Sequence, residues 1–173
     1  MQLQALVHLA QIAMNSVQEV AVQVDRDYRQ SFSRGYGVVE PLLIDDAEVV
    51  IVTAGSITST ARLAVRNLRE QGLKAGLLKL RLFRPFPVDA VQSALAGKKK
   101  IAVLDRNHSL GCGGIFCQEL RAALVHSPDH PQVFSYIAGM GGTDVTPEVI
   151  QKIARDTMEA TLPAQSSIWI RDE

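Results

Sequence analysis

The sequence predicts an α/β protein built on an open, doubly wound and mostly parallel β-sheet. Short apolar runs alternate four times with amphipathic segments, and the run Glu48–Thr53 is β-branched and almost unbroken. Such runs are typical of parallel strands covered on both faces, and a repeated strand–helix order places helices on both faces of one sheet. With 173 residues, 47% of them hydrophobic, the chain is long enough for one full core.

The amino-terminal segment has the pattern of a long amphipathic helix. Apolar residues recur at steps of three and four from Leu3 to Val24, while glutamines lie off that stripe. The pattern fits one helix, or two helices broken near Asn15 and Ser16. The segment Arg34–Gly37, with glycine at two of its four positions, rules out further helix. Because the stripe is longer than the flank of a small sheet needs, we expect it to dock on a partner.

The four strand–helix units follow in order after residue 47. Thr146–Glu148 combines an N-cap threonine, a proline at the first helical position and a glutamate in the first turn. The tail Leu162–Glu173 carries the only tryptophan, Trp169, and is expected to add an edge strand or to dock on the body. The predicted strands are Glu48–Thr53, Ala75–Leu80, Lys100–Asp105 and Gln132–Ile137, and the predicted helices are 58–71, 88–95, 114–126 and 147–160.

Composition excludes several classes of partner. Eighteen basic and eighteen acidic residues leave no net charge, so no bulk field draws the chain to nucleic acid or to anionic lipid. No apolar run approaches the ~20 residues of a membrane span, and the amino-terminal segment lacks the pattern of a signal peptide. Two cysteines are too few for a disulfide framework and fit a reducing compartment. We expect a soluble, cytoplasmic protein.

Ligands of open α/β sheets bind beyond the carboxyl ends of the strands, so the loops at those ends are the candidate sites. The loop after the first strand contains Gly55 and Ser56, whose free amides and hydroxyl are suited to an anion. It lacks both G-x-G-x-x-G and G-x-x-x-x-G-K-[ST], so the indication of a nucleotide site is weak. A tight turn in which Ser56 caps the following helix is the interpretation we favour.

The second loop, Arg81–Pro87, is a basic, aromatic turn restricted by two prolines. These prolines fix their own φ near −65° and push Arg84 and Phe86 towards extended conformations. A rigid loop at the end of a strand is where an α/β protein meets something else. We therefore predict that Arg81, Arg84, Pro85 and Phe86 contact another domain.

The third loop begins at Asp105 and gathers an acid, a base, an imidazole and a thiol. A metal site made by His108, Cys112 and Cys117 matches no zinc spacing and has no evident fourth ligand. A Cys–His nucleophilic pair has no identifiable third residue to orient it. We therefore predict no catalytic residue and no metal site, and we expect Asp105 and Arg106 to form ion pairs that shape the loop or a subunit contact.

The fourth loop, Gly139–Asp144, contains three glycines. Gly141 and Gly142 indicate a backbone that needs positive φ or that a neighbour approaches closely. Either Asp144 or Thr146 is expected to cap the last helix. Gly141, Gly142 and Asp144 are also candidates for contact with a partner.

Several segments of the chain have the order and spacing of a known family. They are Ala47–Val52, Gly55–Ser56, Gly76–Pro87, Ala102–Arg106 and Gly139–Pro147. Together they resemble the carboxyl-terminal part of the alpha subunit of pyruvate and related 2-oxoacid:ferredoxin oxidoreductases. The preceding segment, Phe32–Glu40, resembles the linker that introduces this domain, and the resemblance extends from about Val17 onward.

The resemblance implies a transketolase C-terminal-like domain with about five strands, one edge strand usually being antiparallel. Residues 1–46 are then a helical extension and linker, and residues 47–173 are the α/β domain. The family oxidatively decarboxylates a 2-oxoacid with coenzyme A at thiamine diphosphate and Mg²⁺, and passes electrons through iron–sulfur clusters to ferredoxin.

The chain departs from the complete enzyme of this family. It has no cysteine set for a [4Fe–4S] cluster and no glycine–aspartate motif for the Mg²⁺–diphosphate group. The resemblance therefore implies a non-catalytic assembly domain that binds no cofactor by itself. Its implied partners are the other domains or subunits of the oxidoreductase, ferredoxin through the holoenzyme, and in addition a homodimer partner.

Two other functions compete with this interpretation. One is the matching domain of a transketolase-like enzyme or of a 2-oxoacid dehydrogenase beta chain, although these usually lack the combined Arg-Leu-Phe-Arg-Pro-Phe-Pro and Asp-Arg arrangement. The other is a free-standing binding module for a nucleotide or an acyl-CoA. A ligand-dependent rise in melting temperature would distinguish this module, because a ligand that binds the folded state stabilises it.

Overall fold

Six strands and five α-helices alternate along residues 2–171, the part of the chain that the computed structural model describes. The helices are α1 (Gln2–Phe32), α2 (Ile57–Glu70), α3 (Val88–Leu95), α4 (Ile115–Leu124) and α5 (Pro147–Glu159). The strands are β1 (Val39–Leu42), β2 (Val49–Ala54), β3 (Ala75–Leu80), β4 (Lys100–Asp105), β5 (Gln132–Ile137) and β6 (Ile168–Trp169).

All strands join one sheet in the order β1-β3-β2-β4-β5-β6. β2 is parallel to both of its neighbours, β3 and β4, and β5 is parallel to β4. The chain therefore builds outwards from β2, first to one side and then to the other. The predicted class, an open and mostly parallel doubly wound sheet, is confirmed.

The sheet is covered on both faces because its central strands alternate apolar residues between two clusters. Val49 and Ile51 pack against α2 and α5, whereas Val50 and Val52 pack against α3 and α4. All four of these side chains are fully buried. A strand buried on both faces needs apolar residues at consecutive positions, which explains the unbroken run in β2.

Both edges of the sheet come from segments outside the four predicted strand–helix units. β1 pairs antiparallel with β3, with Val39 opposite Leu80, so the sheet begins before the expected boundary at residue 47. The segment expected to be a linker therefore contributes an edge strand, and the sheet has six strands where about five were expected. At the other edge, β6 pairs parallel with β5, and Trp169 lies opposite Ile137. The last residues of the predicted tail, 172–173, lie outside the described part.

α1 is one unbroken helix, without the break that Asn15 and Ser16 allowed. The Asn15 side chain accepts a hydrogen bond from Gln11 at 2.9 Å, and the Ser16 hydroxyl donates to the Ala13 carbonyl at 2.9 Å. Both polar side chains are thus engaged within the helix and do not divert its backbone. No helix within residues 2–171 is long and apolar enough to cross a membrane.

The carboxyl-terminal half of α1 is attached to the body of the domain. Gln18 Nε2 donates to the Phe86 carbonyl at 3.1 Å, and the Asp25 carboxylate accepts from the backbone amides of Tyr36 and Gly37. The amino-terminal half leaves its apolar side chains open: Leu3 is 75% exposed and Leu6 63%. The stripe is therefore not wholly buried against the chain's own sheet.

Candidate functional site

Three of the candidate loops meet at the carboxyl ends of β2, β4 and β5. Arg106, which follows β4, joins them with its guanidinium. Its Nη1 donates to Ser56 Oγ at 3.3 Å, and its Nη2 donates to the Gly139 carbonyl at 3.2 Å. These contacts connect the loops after all three strands, and four of the predicted residues, Ser56, Arg106, Gly142 and Asp144, line one crevice between them.

The position of this crevice follows from the strand order. β2 is followed in sequence by β3 on one side and has β4 on its other side, so the chain changes direction between β2 and β4. Loops that leave such a switch point diverge and leave a depression between them. Here the depression is a cavity of about 280 Å³ lined by Ser56, Thr60, Arg106, Gly142, Thr143 and Asp144, with apolar contributions from Ile57 and Val145.

Ser56 does not cap α2, contrary to the interpretation favoured from the sequence. Its backbone is already helical, at φ −67° and ψ −33°, and its side chain makes no capping hydrogen bond. The preceding Gly55 has φ +69°, which turns the chain sharply out of β2. The hydroxyl of Ser56 is therefore directed to Arg106, the cation of the crevice.

The glycine-rich loop forms the opposite wall. Gly141 has φ +70° and Gly142 has φ +93°, so both adopt the left-handed backbone that the sequence indicated. The Thr146 hydroxyl accepts from the Val149 amide at 3.4 Å and caps α5, whereas Asp144 accepts from the adjacent Val145 amide. Of the two predicted caps, Thr146 is the one observed, and Asp144 stays exposed at the crevice.

Asp105 serves the fold of α4 by accepting hydrogen bonds, whereas the sequence led us to expect it in an ion pair. Its fully buried carboxylate accepts from the amides of Phe116 at 2.9 Å and Cys117 at 3.0 Å, and from Asn107 Nδ2 at 3.2 Å. Burial raises the pKa of Asp105 above its ordinary value, although these three hydrogen bonds oppose the shift. The carboxylate thus satisfies free amides at the start of α4.

The Arg81 side chain belongs to an ion network at the antiparallel edge. Its guanidinium pairs with Glu40 of β1 at 2.7 Å and lies over the Tyr36 ring, 4.3 Å from the ring centroid. Glu40 also pairs with Arg62 of α2. Partial burial alone would raise the pKa of Glu40, but hydrogen bonds and charge from Arg62 and Arg81 together lower it. One carboxylate thereby joins β1 to β3 and α2.

Arg84 is also paired within the chain. Its Nη2 donates to Glu119 of α4 at 2.6 Å, and its guanidinium lies over the Phe83 ring at 4.0 Å. The Arg84 side chain remains 51% exposed, so the pair is open to solvent. The predicted interface residue thus has an internal carboxylate partner and a free outer surface.

Aromatic packing holds this turn on the domain. Phe86 is half-buried against the cluster under α3 and α4, and Phe83 stands edge-on to Phe116 at a centroid distance of 4.7 Å. Pro85 lies between Arg84 and Phe86 and is half-buried. The Phe86 carbonyl accepts the hydrogen bond from Gln18 of α1, so the turn and the long helix form one surface.

The cysteines do not form a metal site with their neighbours. Cys112 is exposed and Cys117 is buried, and burial raises the pKa of the Cys117 thiol. Within residues 2–171, no three His, Cys, Asp or Glu side chains come together as ligands. The two cysteines of the chain cannot supply the four thiolates that hold a [4Fe–4S] cluster.

Sequence reasoning missed three residues that the contacts make important. Glu40 and Arg62 complete the network around Arg81, and Glu119 pairs with Arg84. Each pair joins residues far apart in the chain, and no local pattern in the sequence indicates a partner at that distance. The acidic partners of these arginines can be identified only in the folded structure, where the sheet and helices bring them close together.

The chain matches a family model and curated proteins. The model for pyruvate:ferredoxin oxidoreductase core domain II matches residues 47–150. The pyruvate synthase subunit PorA of Thermotoga maritima is 37% identical over 158 residues, covering 91% of this chain and 40% of PorA. The ketoisovalerate oxidoreductase subunit VorA of Pyrococcus furiosus is 44% identical over 131 residues, covering 76% of this chain and 32% of VorA.

Solved structures share the fold. A 2-oxoglutarate:ferredoxin oxidoreductase from Magnetococcus marinus matches with a TM-score of 0.55 at 24% identity, covering 77% of this chain and 21% of that one. A split-gene transketolase matches with a TM-score of 0.52 at 16% identity, covering 69% of this chain and 41% of that one. The second match confirms the expected transketolase-like architecture.

The chain thus spans 40% or less of the length of these two curated relatives. The matched family model covers more than half of the chain, including every strand from β2 to β5 and the crevice between them. The chain belongs to the pyruvate:ferredoxin oxidoreductase core domain II family.

Proposed function

We propose that this chain is a non-catalytic assembly domain of a thiamine-diphosphate-dependent 2-oxoacid:ferredoxin oxidoreductase. The complete enzyme would oxidatively decarboxylate a 2-oxoacid to an acyl-CoA and reduce ferredoxin. The observation that carries the proposal is the 37% identity to a pyruvate synthase subunit over 91% of this chain. Because the chain spans only 40% of that subunit, the catalytic groups would be supplied by other domains.

The side chains available here support a role without direct chemistry. The buried carboxylate of Asp105 is engaged by backbone amides, and Arg106 is engaged by Ser56 and Gly139. We therefore assign thiamine diphosphate, Mg²⁺, the iron–sulfur clusters and coenzyme A to the rest of the enzyme. No side chain of this chain would take part in the chemical steps of the reaction.

The exposed side of α1 is the proposed docking surface for another part of the enzyme. Leu3, Leu6, Val7, Leu9 and Ile12 are each more than half exposed on the first three turns. Apolar surface removed from water contributes about 25 cal/mol per Å², so an uncovered stripe favours association. A partner bearing a complementary apolar groove would bury it, as amphipathic helices are commonly bound.

The turn with Arg84 and Phe86 would extend this docking surface. Gln18 connects α1 to the Phe86 carbonyl, so the two elements are adjacent. The half-exposed guanidinium of Arg84 would give the surface a polar rim beside the apolar stripe. The crevice with Ser56, Arg106, Gly142 and Asp144 is a second proposed contact, in which Gly55 and Ser56 would also accept an anionic group.

The substrate of the complete enzyme is proposed to be pyruvate or a close 2-oxoacid. The relatives include a pyruvate synthase subunit and a ketoisovalerate oxidoreductase subunit. Pyruvate and ketoisovalerate share the 2-oxoacid group and differ in its substituent. We further propose the cytoplasm as the compartment, where its two free thiols would stay reduced.

The purified chain tests this proposal in an assay of coenzyme A-dependent dye reduction. We expect no turnover of pyruvate or 3-methyl-2-oxobutanoate by the chain alone. Turnover is expected when the chain is purified together with subunits that contain thiamine diphosphate and iron–sulfur clusters. Activity of the chain alone, measured free of other subunits, would refute the proposal.

A further inference from the structure

A second cavity lies between α4, β5 and the carboxyl-terminal tail, and no residue of α1 or of the turn 81–87 lines it. Its volume is about 380 Å³, within the range of small-molecule sites. The walls come from the loop that contains His108 and Cys112, from Gln118 and Arg121 of α4, and from the tail around Trp169. The assembly role uses none of these residues, so the inference is independent of it.

Two polar atoms in the walls have no hydrogen-bond partner in the part of the chain that the structure describes. His108 Nδ1 and Gln118 Nε2 are the buried side-chain nitrogen or oxygen atoms without a hydrogen bond among the described residues. Buried polar groups are nearly always hydrogen-bonded, because leaving one unpaired costs free energy. Both side chains line the same cavity. Two unpaired polar atoms in the walls of one cavity could both form hydrogen bonds with a polar ligand bound there.

The charge of the side chains that line the cavity favours an anionic ligand. Among the lining residues that the structure describes, Arg121 is the one with a permanent charge, and its Nη2 donates to the Val133 carbonyl at 2.9 Å. Within residues 2–171, no carboxylate belongs to the lining. The nearby Asp105 is turned towards the amides that begin α4. A guanidinium beside an unpaired amide N–H is a donor set that suits a carboxylate.

The rest of the cavity suits a carbon skeleton. The Trp169 ring is tilted against the His108 ring, with centroids 4.9 Å apart, and Trp169 is 46% exposed at the edge of the sheet. An indole offers a large, flat apolar contact beside the polar groups. We propose that this cavity binds a small organic carboxylate, held by Arg121 and Gln118 and covered by Trp169.

The frame around the cavity is already ordered. Ser109 and Gly113 exchange two backbone hydrogen bonds, at 2.8 and 2.9 Å, which closes the loop into a tight turn. Ser135 Oγ and Ser167 Oγ are 2.7 Å apart and hold the tail to β5. A ligand would therefore need only a rotation of the Gln118 amide or of the His108 ring. Because Gln118 Nε2 and His108 Nδ1 are unpaired, their rotation breaks no hydrogen bond at those atoms.

Trp169 provides a direct measurement of binding, because it is the only tryptophan of the chain. We expect benzoate to shift the indole N–H resonance of Trp169 saturably in the 173-residue chain. Benzamide, which has the same shape and no charge, is the matched control and is expected to bind at least about tenfold more weakly. Inorganic phosphate separates carboxylate recognition from general anion binding.

Variants identify the groups that hold the carboxylate. Arg121→Gln is expected to weaken benzoate binding at least about tenfold, whereas Arg66→Gln, at an exposed site on α2, should leave it unchanged. Gln118→Leu should also weaken binding while raising the melting temperature of the ligand-free chain, because it removes an unpaired buried donor.

Three results would overturn the inference. The first is absence of a saturable shift with benzoate, and the second is equal binding of benzoate and benzamide. The third is a shift with phosphate alone, which would assign the site to inorganic anions. A fall in melting temperature for Gln118→Leu, with no benzoate binding to the parent chain, would show that water satisfies these groups.

Discussion

Gly114 lies directly against Asp105: a Cβ at residue 114 would overlap the Asp105 carboxylate. Gly114 is the N-cap of α4, with an ordinary φ of −69°, so its lack of a side chain serves close approach and not backbone strain. The carboxylate can reach the amides of Phe116 and Cys117 only because residue 114 has no side chain. The start of α4 depends on both residues together.

We predict that Gly114→Ala lowers the free energy of unfolding by about 1–3 kcal/mol, the usual cost of overpacking a core. Chemical denaturation measures this change. The double variant with Asp105→Ala should be no less stable than Asp105→Ala alone, because the clash has been removed. Additive losses in the double variant would contradict the proposed overlap.

The free energy of unfolding should depend on pH through the shifted pKa of Asp105. Burial raises this pKa above 3.8, so the folded chain binds the proton more tightly than the unfolded chain does. The contribution of Asp105 to stability is therefore fully present below pH 3.8 and is lost as the pH rises through the folded-state pKa.

Denaturation of the parent chain and of Asp105→Asn across this pH window provides the measurement. The difference in unfolding free energy, parent minus variant, is expected to decrease with increasing pH. At neutral pH the variant is still expected to be less stable, because an amide nitrogen would face the backbone donors. A difference that increases with pH would mean that the carboxyl pKa is lowered.

Glu40→Gln tests the network at the antiparallel edge. Removing the charge that pairs with Arg62 and Arg81 is expected to cost about 1–2 kcal/mol of stability at neutral pH. Since the pKa of Glu40 is lowered, its contribution is present above about pH 4.5 and is lost as the pH falls through the folded-state pKa.

Glu48→Gln is the matched control for Glu40→Gln. Glu48 is 4.0 Å from Lys74 in a pair open to solvent, so its replacement should change stability by no more than about 0.5 kcal/mol. Equal effects of the two variants in thermal or chemical denaturation would argue against a structural role of the Glu40 network.

Variants of Arg84 distinguish a role of this residue in folding from a role in assembly. Its pair with Glu119 is half open to solvent, so a double-mutant cycle with Arg84→Ala and Glu119→Ala should give a coupling energy of only about 0.2–1 kcal/mol. Loss of a charge pair desolvated by a partner would cost roughly 2–5 kcal/mol of binding. A large loss of stability in the isolated chain, with unchanged co-purification of partner subunits, would show that Arg84 serves its own fold.

The sequence predicts the centre of the sheet better than its edges. The strands β3, β4 and β5 and the helix α3 match their predicted bounds, because each is a short apolar or amphipathic run between clear breaking signals. β1 escaped prediction because it has four residues and contains Pro41, which is tolerated at an edge strand. Its pairing with β3 is a long-range contact without a local pattern.

The location of the candidate site could be predicted from the sequence, whereas the hydrogen-bond partners of its side chains could not. Strand order explains why Ser56 and Arg106 meet, since the carboxyl ends of parallel strands share one edge of the sheet. The partners of Asp105 were not predictable from charge, because its carboxylate is engaged by backbone amides eleven and twelve residues later. A side chain's direction depends on packing that residue type alone does not specify.

The most direct test of the assembly role is a quantitative co-purification that compares Leu6→Asp with Gln4→Asp on the exposed part of α1. Leu6 is 63% exposed and Gln4 is exposed on the same helix, so neither change should affect folding of the chain by more than about 0.5 kcal/mol. Our account predicts that Leu6→Asp reduces recovery of a thiamine-containing, 2-oxoacid-oxidising complex at least about tenfold, because burying the charge offsets the apolar contact. Gln4→Asp should leave that recovery unchanged. Equal recovery of the active complex with both variants would contradict the assignment of α1 as its docking surface.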